Sequence, residues 1–94
     1  MTASECWQWG ALIDSLRNFS ELAQGRGLQQ MVEQCGAIEY YLNDFQQTLS
    51  FQFEMEFREA VEVLHDWTRQ QGDSLVYSCF QGLYACFWPL VHFA

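Results

Sequence analysis

Apolar residues recur at three- and four-residue steps over four stretches of the chain, and each stretch predicts one helix. In the first, Trp9, Leu12, Ile13, Leu16, Phe19 and Ala23 share a face. Thr2 and Glu5 stand at capping-box spacing ahead of them, so the helix is expected to run from about Thr2 to about Gln24. The second stretch opens at Leu28 and carries Met31, Val32, Cys35, Ile38, Leu42, Phe45 and Leu49 on its apolar side. Gly36 weakens that helix without interrupting the face. Two turn signals separate the elements: Gln24-Gly25-Arg26-Gly27, and Gln70-Gln71-Gly72-Asp73-Ser74, which joins a Gly stop to Asp and Ser caps.

The third stretch reads two ways. Phe51-Gln52-Phe53-Glu54-Met55-Glu56-Phe57 alternates strictly, which is a half-buried strand pattern. Leu49, Phe53, Phe57, Ala60, Leu64 and Trp67 keep helical spacing over the same ground. A lone strand would have no partner in this sequence, so a helix from near Ser50 to Gln71 is favoured, with a short β segment at 51–57 as the alternative. The fourth stretch puts Val76, Phe80, Leu83, Tyr84 and Phe87 on one stripe and meets Pro89, predicting a helix over 74–89. Four helices with short connections make an all-α fold, a small four-helix bundle-like domain. The 94 residues form a single domain over 1–94.

Composition adds three constraints. Half the residues are hydrophobic and 17% aromatic, far too much to bury for a disordered chain. Net charge is −8, from twelve acidic and four basic residues. Arg17, Arg26, Arg58 and Arg69 are too scattered to meet a nucleic-acid backbone, so no nucleic-acid partner is expected. There is no lysine, where a chain of this length ordinarily carries roughly five. Cys6, Cys35, Cys79 and Cys86 form no Cys-x-x-Cys pair, and only His65 and His92 could join them; no metal site and no cofactor follows. The opening residues lack the succession of a secretory leader. The reading is therefore an intracellular protein, cytoplasmic or nuclear, with thiols reduced.

From Ser74 onward no residue is charged. The length could cross a membrane, but Ser78, Gln81, Gly82 and Pro89 dilute it and no basic residue flanks it. Burial in the fold or in a partner is favoured, and a tail anchor over Leu75–Phe93 is the lesser alternative. Within the stretch lies Ser74-Leu75-Val76-Tyr77-Ser78-Cys79-Phe80-Gln81-Gly82-Leu83. Ser74, Leu75, Cys79 and Leu83 fill the four constrained positions of a pattern that resembles the BC box, by which ubiquitin-ligase substrate receptors hold Elongin C. One-turn spacing lets Leu75, Cys79 and Leu83 present one stripe to a groove, and Ser74 is a candidate helix cap. The resemblance implies Leu75 as anchor and Elongin C as partner. Pro89, ten residues after Cys79, resembles the proline of the cullin-selecting box that often follows, though the Leu-Pro-x-Pro form is absent and the choice of cullin stays open. A chain without lysine inside a ubiquitin ligase offers no acceptor for modification. That combination is similar to viral accessory factors.

A weaker likeness joins Trp9-Gly10 and His65-Asp66-Trp67 with Gly72, in the order found in Bcl-type apoptosis regulators. Ala11 and Ser74 stand where that family has Arg and Trp. Glu62 and His65 have the Glu-x-x-His spacing of di-iron bundles, which need two copies where this chain has one. Catalytic residues are not specified, and no enzyme is expected. The expectation is a protein–protein adaptor that docks Elongin C through Ser74, Leu75, Cys79 and Leu83 and an unknown target through the first three helices. Trp7 and Trp9 are the candidate target contacts. An acidic nucleic-acid mimic is the alternative from another class, and an exposed aromatic surface favours homo-oligomers.

Overall fold

The computed structural model describes residues 3–48 and 52–91, with side chains at 10–48 and 52–87. It is an all-α bundle of α1 (Ala3–Gly25), α2 (Gln29–Thr48), α3 (Glu54–Gln71) and α4 (Ser74–Val91). Each helix packs on the two beside it: α1 and α3 both touch α2 and α4. Short connections make these neighbours antiparallel.

The α1–α2 turn is closed by backbone. Leu28 N–H donates to the Ala23 carbonyl at 2.9 Å and Gly27 N–H to Gln24 at 3.1 Å, the double bond of a Schellman motif with Gly27 in the left-handed region at φ 72°. The capping residue Thr2 lies outside the described residues.

Four layers of side chains fill the centre. Leu12, Leu16, Phe19 and Ala23 come from α1; Met31, Cys35, Ile38 and Leu42 from α2; Phe57, Ala60, Val61 and Leu64 from α3; Val76, Phe80, Leu83 and Phe87 from α4. The Phe19 and Phe80 rings meet edge-on at 5.5 Å across α1 and α4. Phe57 and Phe87 do so at 5.6 Å and 89° across α3 and α4.

From Gln52 onward the alternating segment is turn and helix, with no strand among the described residues, and Phe51 lies outside them. Gln52 and Phe53 form a turn, and α3 begins at Glu54 rather than near Ser50. A strand would place Phe53, Met55 and Phe57 on one side. Instead Phe57 is buried, Phe53 packs on Tyr41 at 5.3 Å, and Met55 is 81% exposed. Phe57 buried and Phe53 half-buried with Met55 outside is helical spacing, so the tertiary core decides the ambiguity.

Pro89 also proves weaker as a stop than expected, since α4 runs through it to Val91. A proline removes the bond to the carbonyl four residues back. So close to the helix end, that loss leaves the rest of α4 intact.

Glycine substitutions should separate two roles. Gly36 is exposed in α2, and open space lies where a methyl group would project from it. Gly36→Ala is therefore expected to add about 1 kcal/mol by helix propensity. Gly72 ends α3 at φ 75°, so Gly72→Ala should lose about 1–2 kcal/mol. Urea unfolding of both variants checks the opposite signs.

Candidate functional site

Asp73, rather than Ser74, starts α4. Its Oδ1 accepts the Leu75 N–H at 3.0 Å and the Val76 N–H at 3.3 Å, while its carbonyl accepts Tyr77 N–H at 3.0 Å. A carboxylate is favoured there over a hydroxyl because it also meets the positive end of the helix dipole. Oδ2 of the same carboxylate takes a 2.9 Å bond from the Arg26 guanidinium, tying the α1–α2 turn to the start of α4. Ser74 is left exposed in the first turn.

The motif residues do not share one environment. Leu75 is 53% exposed, Cys79 is half-buried, and Leu83 is 2% exposed within the core. Residues four apart advance about 40° around a helix, so eight residues turn the stripe by about 80°. That rotation carries it from the outer flank of α4 into the bundle. Leu83 therefore packs beside Phe80 and Phe87 in its own fold and does not face a partner. Burial pushes the Cys79 thiol above its ordinary value. The backbone of Trp7, Trp9 and Pro89 lies within α1 and α4, and their side chains fall outside those described.

The two flanks of α4 differ. On one, the Tyr84 hydroxyl donates to Glu62 Oε1 at 2.8 Å, and Gln81 Nε2 lies 3.3 Å from His65 Nε2; this side faces α3. His65 is stacked on Phe80 at 5.4 Å and lies 4.7 Å from the Tyr84 ring. Its buried Nδ1 makes no hydrogen bond, and Glu62 Oε2 stands 3.8 Å away. Burial, then the Glu62 contact, raises the Tyr84 phenol above its ordinary value. The Glu-x-x-His pair is thus the polar edge of the α3–α4 interface.

The other flank carries Leu75, Cys79, Gly82 and Cys86, and by opposition it lies beside α1. The α1 face next to it follows in the same way. Arg17 reaches Glu39 of α2 at 2.8 Å, so the opposite flank of α1, with Ala11, Ser15, Asn18 and Leu22, borders α4. Among the described residues, the seam between the two helices holds no ionisable group except thiols beyond the Arg26–Asp73 ion pair that closes one end of it. Sequence spacing could have found it once the core face was fixed, because every one of these positions sits roughly 70–130° from the centre of that face.

Charge surrounds the seam. Each arginine is paired: Arg17 with Glu39, Arg26 with Asp73, Arg58 with Glu54 and Arg69 with Asp66. Unpaired carboxylates are spread over three helices, with Asp14 and Glu21 on α1, Glu33 on α2, and Glu56 and Glu59 on α3. A nucleic-acid mimic would gather them on one face. Further round, Tyr40 is 60% exposed and packs on Phe53 at 5.8 Å, a ring contact that helix periodicity does not announce.

A cleft of about 600 Å³ between the α1–α2 turn and the end of α3 is lined by Leu28, Met31, Trp67 and glutamine amides. None of its lining residues can exchange a proton near neutral pH. Among the described residues no group of three side chains could hold a metal ion, and no helix is long and apolar enough to cross a membrane. No protein-family model, curated protein or solved structure matches the chain.

Proposed function

We propose that this chain is a non-enzymatic adaptor that joins proteins, and that it docks one of them through the outer side of α4. The observation that carries this is Leu75: an exposed leucine at the head of an uncharged helix, in a protein of net charge −8. Scattered exposed leucines are ordinary. This one begins a flank from which charge is missing for eighteen residues, which is the condition for helix-in-groove recognition.

The resemblance to the BC box points to Elongin C as the partner and to a cullin ubiquitin ligase as the setting, served in the manner of a viral accessory factor. Leu75 is the anchor and Cys79 packs beside it at the groove edge. Leu83 acts indirectly, by fixing the rotation of α4 so that Leu75 points outward. The absence of lysine fits a protein that works beside a ubiquitin-transfer machine. The target is held by the first three helices, with Trp7 and Trp9 as contacts.

Co-purification with Elongin B and C tests this. Wild type should recover both, and Leu75→Ala/Cys79→Ala should recover at least tenfold less while keeping its helical circular dichroism. Equal recovery, or none with either protein, overturns the proposal.

A further inference from the structure

We propose that the α1–α4 seam is also a self-association surface, on which a second copy of this chain docks to form a reversible dimer. Two observations carry it. The first is charge. Two copies at −8 repel each other, and every arginine that could bridge them is already paired with a carboxylate of its own chain. Contact over the outer faces of α1, α2 or α3 brings unpaired Asp14, Glu21, Glu33, Glu56 or Glu59 against like charge. Among the described residues, the seam is where two such copies can meet without desolvating an unpaired carboxylate, since Asp73 at its end is held by Arg26.

The second is apolar exposure without an internal purpose. Leu75 is 53% exposed, and Cys86 is open to solvent. Gly82 sits mid-helix with nothing within 4 Å of its missing side chain, so no contact within the fold requires a glycine there. A facing helix can approach closely at that point.

Area sets the strength. An eighteen-residue helix is about 27 Å long, and α4 with its border on α1 is roughly 20 Å across. Two copies then bury about 1,000 Å², the low end for a specific interface. The dimer is accordingly weak and concentration-dependent, with dissociation in the range of tens of micromolar, on the order of a small interface. It covers Leu75, so dimer and partner complex exclude each other. The inference therefore extends the adaptor reading but needs none of it, because the chain alone can be measured.

Sedimentation equilibrium of the purified chain is the experiment. The mass should climb from 11.0 kDa toward twice that value as concentration rises through the micromolar range. Leu75→Glu and Gly82→Glu should each remain monomeric with unchanged circular dichroism, whereas Gln46→Glu, on the exposed side of α2, should behave as wild type. Added salt should tighten the dimer several-fold by screening the like charges. A wild type that stays monomeric at millimolar concentration overturns the proposal. So does a dimer that survives both seam substitutions, or one that salt dissociates. Failure here leaves the Elongin test standing, and a dimer that captures no Elongin leaves this one standing.

Discussion

Phe19→Ala and Phe80→Ala should each lower the free energy of unfolding by about 3–5 kcal/mol, read by urea denaturation followed at 222 nm. Both rings are fully buried and touch each other edge-on at 5.5 Å. Removing either ring takes away its transfer free energy and leaves a void that the partner ring cannot fill alone. A domain of this size holds only about 5–10 kcal/mol in total, so each variant stands near the edge of folding. The coupling is therefore best read with the milder Phe19→Leu, Phe80→Leu and the pair together. The two leucine variants should be non-additive by about 1 kcal/mol, the worth of an aromatic edge contact beyond its area. A loss below about 1 kcal/mol for the alanine variants would mean that α1 and α4 are not joined through these rings.

The second large effect is alkaline. Cys35 lies buried in α2 at 2% exposure, and burial first, with Glu39 adding repulsion, pushes its thiol from 9.0 up to about 12. The folded form therefore resists ionisation that the unfolded chain permits. Stability from this group is fully present below pH 9 and is lost as pH rises toward 12. Each pH unit in that window removes about 1.4 kcal/mol, and about 4 kcal/mol goes in all. Tyr84 and Cys79, both raised, act in the same direction. The urea-measured stability should fall through this range, and Cys35→Ala should flatten the decline between pH 9 and 12 even though it lowers stability at neutral pH. A decline of equal steepness in Cys35→Ala would remove the thiol as its cause.

Much of this architecture was legible in the spacing of apolar residues. Leu12, Leu16 and Phe19, Met31 to Leu42, and Val76 to Phe87 fall on the inner faces that three- and four-residue steps assign them. What escaped were choices between local options that only packing decides. The 51–57 alternation carried strand and helix patterns at once, and Phe57 meeting Phe87 selects the helix. Asp73 and Ser74 could each begin α4, and the Arg26 ion pair to Asp73 favours the carboxylate. The docking stripe was harder. Leu83 belonged in the sequence both to the motif and to the Val76–Phe87 core face, and one side chain cannot serve solvent and core together. The core prevails because burying a leucine is worth about 2 kcal/mol to every folded molecule. Only the Leu75 end of the stripe remains open.

The uncharged run that shapes α4 also fixes how the protein comes apart under trypsin. Cleavage follows arginine or lysine, and the last such residue is Arg69, in the final turn of α3. Everything from Gln70 onward leaves as one peptide, with the whole of α4 and both Cys79 and Cys86 on it. The element that borders the seam is thus released in a single piece, free of the three helices that hold its inner face.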